Sequence, residues 1–188
     1  MPKDVTIEDI APNGDVFFLV GTPPTRKLRV SSMLLGVASG VFKAFLGPHF
    51  LEGQQMRDAA GPKEIELPDD DAMAMSDMCN LLHFKPVRVL DRPRMSKSLL
   101  AFAVVVDKYA CVEALHLQSQ GLLLQYFDEH DPTSLPQLLR VAVAAYLLDQ
   151  PSGFDKATER MTTHTNEEYS TVFSSADAAL LPPRLFRR

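Results

Sequence analysis

The chain has 188 residues, a formal net charge of -5, a hydrophobic fraction of 46% and two cysteines. A chain of this length can bury a core without covalent cross-links, and its acidic balance argues against non-specific nucleic-acid binding. Two cysteines do not make a disulfide framework, so we expect Cys79 and Cys111 to be buried free thiols.

No segment is apolar for long enough to suggest a membrane span. The longest apolar runs, 99–106 and 141–148, have eight residues each, whereas a helix that crosses a bilayer needs about 20. The N-terminal residues are charged and lack the apolar centre of a signal peptide. We therefore expect a protein of the cytoplasm or the nucleus that binds neither membranes nor nucleic acids.

Two strands are predicted near the start of the chain. Residues 1–13 form a lead-in that either docks as a short edge strand, with Val5 and Ile7 as its candidates, or remains loose. The unbroken apolar run over 16–20 predicts a strand covered on both faces, and the alternation over 27–30 predicts a second strand. The prolines between them end the first strand, and a hairpin is the simplest way to join the two.

Two short helices and a third strand are predicted next. Ser31 or Ser32 can cap the first helix. Ser39, with the glycine that follows it, breaks this helix before a second one over 41–46. The alternation over 64–67 predicts the third strand, with its apolar side chains facing inward.

The rest of the chain is predicted to be helical. Asp69, Asp70 and Asp71 favour a helix start, because carboxylates cap free N–H groups and suit the helix dipole. Ser134 and Gln137 have the spacing of a capping box. The predicted helices cover about residues 69–82, 98–106, 112–127, 135–148 and 152–163, with a basic loop over 85–97.

Strands early in the chain and helices later predict an α+β fold. We expect a small, mainly antiparallel sheet flanked by a helical bundle, with further helices towards the C-terminus. The predicted organisation is the lead-in over 1–13, a domain over 14–127, a helical extension over 128–163 and a flexible tail over 164–188.

Several residues in this order resemble the BTB/POZ family. Asp15 before an apolar strand matches the start of that domain, and the spacing of Leu35, Ser39 and Phe42 matches its first two helices. The run Val-Asp-Lys-Tyr over 106–109 resembles its Ala-Asp-Lys-Tyr helix and is the most specific match. The resemblance implies the BTB/POZ fold over residues 14–127, and a module that binds proteins and catalyses nothing.

The C-terminal part resembles the helical extension of BTB proteins from filamentous fungi, on the residues over 138–149 and 154–158. Two departures from the family bear on partners. Members often carry a basic residue at the position of Ser32, where it lines a charged pocket with the residue matching Asp15. Residues 82–86 also depart from the aromatic-rich motif on which cullin-binding members rely.

The resemblance implies protein partners and a homodimer. Dimeric relatives use the first helix and the lead-in strand, so these segments supply the expected interface. The candidate interface residues are Val5, Ile7, Asp15, Ser32, Met33, Leu34 and Val37. The alternative function is that of a substrate adaptor for a cullin-type ubiquitin ligase. We predict no cofactor and no catalytic residue.

A small metal-dependent enzyme is a further alternative. Two Cys and His pairs at helical spacing, Cys79 with His83 and Cys111 with His116, could form a Cys2His2 zinc site. These spacings fit no common zinc finger, and buried thiols near histidines are ordinary in protein cores. The sequence shows no Gly-rich phosphate loop and no nucleophile beside a base. We therefore expect no bound metal.

Overall fold

The computed structural model describes residues 5–23, 25–47, 61–87, 89, 95–130, 134–164 and 175–182. Within these ranges the chain has four strands, seven α-helices and one short 3-10 helix, Ala178–Leu180. The strands are β1 (Thr6–Asp9), β2 (Val16–Val20), β3 (Arg26–Val30) and β4 (Lys63–Leu67). The helices are α1 (Ser32–Ala38), α2 (Gly40–Phe45), α3 (Ala72–Leu82), α4 (Met95–Lys108), α5 (His116–Glu129), α6 (Leu135–Leu147) and α7 (Pro151–His164). The predicted α+β class is confirmed.

The four strands form one mixed sheet in the order β1-β3-β2-β4. The predicted hairpin is confirmed, because β2 and β3 pair antiparallel. The expectation of a mainly antiparallel sheet is wrong, since β1 pairs parallel with β3 and β2 pairs parallel with β4. Helices α1 and α2 separate β3 from β4, and a long connection of this kind is what allows a strand to join a sheet in parallel.

The chain divides into two compact units, one formed by 1–87 with 105–115 and the other by 88–104 with 116–188. Helix α4 contributes residues to both units. The expected boundary between residues 127 and 128 lies inside the second unit. The basic loop over 85–97 and the tail over 164–188 lie partly outside the described residues.

The core of the first unit consists of alternate residues of the sheet and the inner faces of α1, α2 and α3. Val16, Phe18 and Val20 are completely buried on one face of β2, whereas the other face is only half-buried. The prediction that this strand is covered on both faces is therefore only half right, because one face is buried and the other is half-buried. The other fully buried side chains of this core include Leu28, Val30, Leu35, Phe42, Met75, Met78 and Cys79.

In the second unit, α6 is buried around most of its circumference. Its apolar run packs against α7, where an added Cβ on Gly153 would lie 3.4 Å from the Ala145 Cβ. Residues 175–182, which the sequence places in a flexible tail, also pack in this unit. Ala178 and Leu181 are buried there, and the Arg140 Nε donates to Asp177 Oδ2 at 2.8 Å.

Helices α3 and α6 begin near the predicted residues, but not all of the predicted capping hydrogen bonds form. Asp71 caps α3 by accepting hydrogen bonds from the N–H groups of Met73 and Ala74. Asp70 instead binds side chains farther along the chain. Ser134 is the N-cap of α6, but its side chain makes no capping hydrogen bond, so the predicted capping box does not form.

No described helix is both long and apolar enough to cross a lipid bilayer.

Candidate interaction surface

Helix α1 has one buried residue and two exposed apolar ones. Leu35 is completely buried, whereas Met33 is 71% exposed and Val37 is 84% exposed. Residues four positions apart lie on the same side of a helix, so Met33 and Val37 form one outward apolar stripe. Leu34, a third candidate interface residue of this helix, is half-buried.

A groove of about 460 Å³ runs beside this stripe, between α1 and α2. The two helices come close at Gly36, where an added Cβ would lie 3.7 Å from the Lys43 Cα. Lys43 is the one ionisable residue in the lining, and the rest is apolar or small. The residues that line this α1–α2 groove are Ser32, Met33, Gly36, Val37, Phe42, Lys43, Leu46 and Gly47.

Phe42, a residue of the groove lining, is held in place by contacts with Ser39 and Tyr109. The Ser39 Oγ accepts a hydrogen bond from the Phe42 N–H at 3.1 Å, which caps α2, and donates to the Tyr109 carbonyl. The Phe42 ring is parallel to the Tyr109 ring, with the ring centroids 4.6 Å apart. The inward residues of the Leu35, Ser39 and Phe42 pattern therefore position the outward ones.

Tyr109 is held in turn by a buried carboxylate. Its hydroxyl donates to Asp70 Oδ2 at 2.7 Å, and the Lys108 Nζ donates to Asp70 Oδ1 at 2.6 Å. Burial raises the pKa of Tyr109 well above its usual range, and the hydrogen bond to Asp70 raises it further. The hydroxyl therefore stays protonated and acts as a permanent donor.

The N-terminus of α1 is bound at two consecutive backbone N–H groups. The Ser31 N–H donates to the His83 Nε2 at 2.9 Å, and the Ser32 N–H donates to Asp15 Oδ1 at 2.8 Å. The Ser32 hydroxyl also donates to Asp15 Oδ2, at 2.5 Å. Asp15 is thus partnered by Ser32 itself.

Strand β1 presents a second exposed apolar segment. Ile7 is 70% exposed and Val5 is 40% exposed, and neither lines the α1–α2 groove. Glu8, on the other side of the strand, accepts hydrogen bonds from Arg26 at 2.9 Å, Ser76 at 2.6 Å and Asn80 at 2.7 Å. These bonds attach β1 to β3 and α3 of its own chain. The predicted edge strand is confirmed, because β1 is the first strand in the sheet order.

Burial by itself would raise the pKa of the Glu8 carboxyl. The hydrogen bonds from Ser76 and Asn80 and the charge of Arg26 outweigh burial, so the net effect is a lowered pKa. Glu8 is therefore ionised near neutral pH and binds its three partners as a carboxylate.

Three residues beside the predicted ones were not identified from the sequence. Glu8 lies next to Ile7, and the sequence suggests only a zinc-ligand role for His83. Phe84 is 88% exposed, with a φ of 60° in the turn after α3. Helical spacing places His83 at the end of α3, but no local signal shows that the N–H group that donates to it is fifty-two positions away, at Ser31.

The zinc alternative gains no support from the structure. In the described parts of the chain, no group of three or more His, Cys, Asp or Glu side chains could hold a metal ion. Both ring nitrogens of His83 make hydrogen bonds within the protein. Cys79 and Cys111 are buried free thiols, as predicted, and burial raises the pKa of the Cys111 thiol to about 11. A protonated thiol is a poor metal ligand and a poor nucleophile.

No protein-family model matches this sequence, and a search of curated proteins finds no significant match. Inferences about function therefore rest on the residues themselves and on the surface that they form.

Proposed function

We propose that this protein is a protein–protein interaction module that associates with itself and with protein partners through the surface of α1 and the α1–α2 groove. We further propose that it is a BTB/POZ protein with a C-terminal helical extension. In support, the described elements follow the order that this resemblance implies. Leu35, Ser39, Phe42 and Tyr109, which belong to the motifs that carry the resemblance, are also all buried.

The single observation that favours an interface is the exposure of Met33 and Val37. Large apolar side chains that are 71% and 84% exposed, one helical turn apart and beside a groove, form a patch that water solvates poorly. Covering a side chain of this size contributes roughly 1.5–3 kcal/mol. A second copy of the chain would present the same stripe, as a two-fold interface requires.

We propose no catalytic role for the described residues. Asp15 and His83 both accept hydrogen bonds from backbone N–H groups at the N-terminus of α1. They serve to position the helix.

The test is the oligomeric state by sedimentation equilibrium at micromolar concentrations. We expect species heavier than one 20.9 kDa chain. The double variant Met33→Lys with Val37→Lys is expected to shift the protein to the single-chain mass, because it places like charges across the interface and adds to Lys43. Both sites are exposed, so the circular dichroism spectrum and the melting temperature should stay unchanged.

Leu117→Lys is the matched control, since Leu117 is a 75% exposed apolar residue of the second unit. It should self-associate as the unchanged protein does. A wild-type protein that sediments only at the mass of one chain would overturn the proposal of self-association.

A cullin adaptor is the second candidate, and the exposure of Phe84 favours it. Residues 82–86 correspond to the region that cullin-binding relatives use, and Phe84 is 88% exposed there. Binding to an immobilised cullin N-terminal region would support this function if Phe84→Ala abolished it and Met73→Ala, at a site 38% exposed, did not. No retention of the unchanged protein would exclude it.

A further inference from the structure

His83 is bound in one tautomer by two backbone groups. Its Nδ1 lies 2.7 Å from the Cys79 carbonyl oxygen, which can only accept, so Nδ1 bears the proton. Its Nε2 lies 2.9 Å from the Ser31 nitrogen, whose N–H can only donate. Nε2 therefore holds the lone pair that accepts this bond, and the imidazole is neutral.

Protonation of this ring removes the acceptor. An imidazolium has N–H donors at both nitrogens, so the Ser31 N–H would then face another donor. Ser31 is the N-cap of α1, and its own side chain makes no capping hydrogen bond. A helix of seven residues has little stability of its own and depends on its tertiary anchors.

We propose that the hydrogen bond between His83 and Ser31 makes the α1 surface sensitive to acid, so that protonation of His83 loosens the first turn of α1 and weakens self-association. This inference rests on the proposed function, because it concerns the regulation of the same surface. The effect is partial, since Asp15 still holds Ser32 and Leu35 remains in the core.

In addition to burial, Lys85 is the charged group that shifts the pKa of His83. Helix α3 packs against β3 and α1, and α1 has no ionisable side chain. On β3 and the segment before β2, Arg29 donates to the Gly14 carbonyl and Asp15 accepts from Ser32. Burial lowers the pKa of His83 in spite of the bond to the Cys79 carbonyl, and Lys85 lowers it further. The neutral ring is therefore the form present near pH 7.

Remaining ionisable groups on the packed elements are bound elsewhere. On β3, Arg26 pairs with Glu8, and Lys27 pairs with Glu64. On α3, Asp77 is buried. The Glu8 carboxyl, which also contacts α3, has a pKa lowered from its usual value, in spite of burial, by its hydrogen bonds and by the charge of Arg26.

The experiment combines two measurements on the full chain, between about pH 7.5 and about pH 5, where histidine titrates. Nitrogen-15 NMR of the histidine rings reports the tautomer of His83, and the Ser31 amide signal reports its hydrogen bond. We expect both to change with one midpoint, below the usual histidine value of 6.5. Sedimentation over the same range should show the dissociation constant rising about tenfold, because ordering the loosened first turn of α1 at the interface then costs about the free energy of one hydrogen bond.

Two variants complete the test. His83→Gln places an amide oxygen, which does not titrate, near the position of Nε2, and its dissociation constant should not vary with pH. His130→Gln removes a histidine of the other unit and should keep the full response. A pH response that persists in His83→Gln would overturn the inference.

The NMR measurement needs no variant, so the inference stays testable if His83→Gln does not fold. A Ser31 amide that does not titrate with His83 overturns the inference even if the protein self-associates. A Ser31 amide that titrates in a protein that never self-associates supports the acid-sensitive bond and overturns the proposed function. Self-association that is independent of pH in the wild-type protein overturns the inference alone.

Discussion

The Phe42 ring stacks on the Tyr109 ring at an interplanar angle of 5°, with the centroids 4.6 Å apart. Phe42 also stacks on Phe18 of the sheet, with the centroids 6.0 Å apart. The stack therefore connects β2, α2 and the end of α4 within the first unit. Phe42 also lines the groove between α1 and α2, so the stack fixes the position of one residue of the groove.

Removing the Tyr109 hydroxyl should destabilise the protein. In Tyr109→Phe, Asp70 Oδ2 loses its donor while the Asp70 side chain stays buried, which costs about 1–3 kcal/mol of unfolding free energy. Urea unfolding measures this loss. Tyr146→Phe, at a residue 38% exposed, is the control and should unfold as the wild type does. Equal stability of Tyr109→Phe and wild type would show that the bond to Asp70 contributes nothing.

Truncation of two phenylalanines should change stability to very different extents. Phe42→Ala leaves a cavity under the groove and should cost about 3–5 kcal/mol. Phe84→Ala removes a side chain that is 88% exposed, so its effect should stay within about 0.5 kcal/mol. Thermal unfolding of both variants checks this contrast. A large loss in Phe84→Ala would mean that this ring packs against the protein in solution.

Glu8 should make β1 sensitive to strong acid. Because the folded-state pKa is lowered, the carboxylate contributes stability above its usual value of 4.5, and this contribution is lost as the pH falls through the folded-state pKa. Glu8→Gln should abolish this dependence and cost roughly 0.5–1.5 kcal/mol near neutral pH. Hydrogen exchange of the β1 amides measures the loosening of the strand.

Glu66→Gln is the control for Glu8, since Glu66 is an exposed glutamate on β4. It should leave exchange of the β1 amides unchanged. If Glu8→Gln also left it unchanged, the network with Arg26, Ser76 and Asn80 would not be what attaches the strand.

Two glycine-to-alanine changes should differ in sign. At Gly121, inside α5, nothing lies within 4 Å of an added Cβ, so Gly121→Ala should stabilise the protein by about 0.5–1 kcal/mol through helix propensity. At Gly14 an added Cβ would lie 2.9 Å from the Ala11 carbonyl oxygen and closer still to that of Val30. Gly14→Ala should therefore lower the melting temperature. If Gly14→Ala were more stable than the wild type, the backbone of Gly14 would not lie as close to the Ala11 and Val30 carbonyl groups as the structure has it.

The elements that the sequence predicts correctly depend on near neighbours. The alternation over 27–30 and 64–67 and the carboxylate at Asp71 report on a strand or a helix start within a few residues. The pattern of Leu35, Ser39 and Phe42 likewise identifies the inner side of α1 and α2. It leaves Met33 and Val37 on the outer side, where the structure has them.

Among the aspartates, only the tertiary structure distinguishes Asp71, which caps α3, from Asp70, which is buried against Tyr109. Local sequence gives the two carboxylates the same prediction, because both stand before the same helix. Their different roles depend on a tyrosine thirty-nine positions beyond Asp70.

The sequence by itself determined where strands and helices form and which side of α1 faces inward, because side-chain periodicity and capping act over one or two turns of chain. Only the tertiary structure decided that β1 and β4 pair in parallel, and that Ser31 donates to His83, fifty-two positions away. Strand partners and long-range hydrogen bonds depend on which surfaces meet when the core closes. No local pattern records that choice.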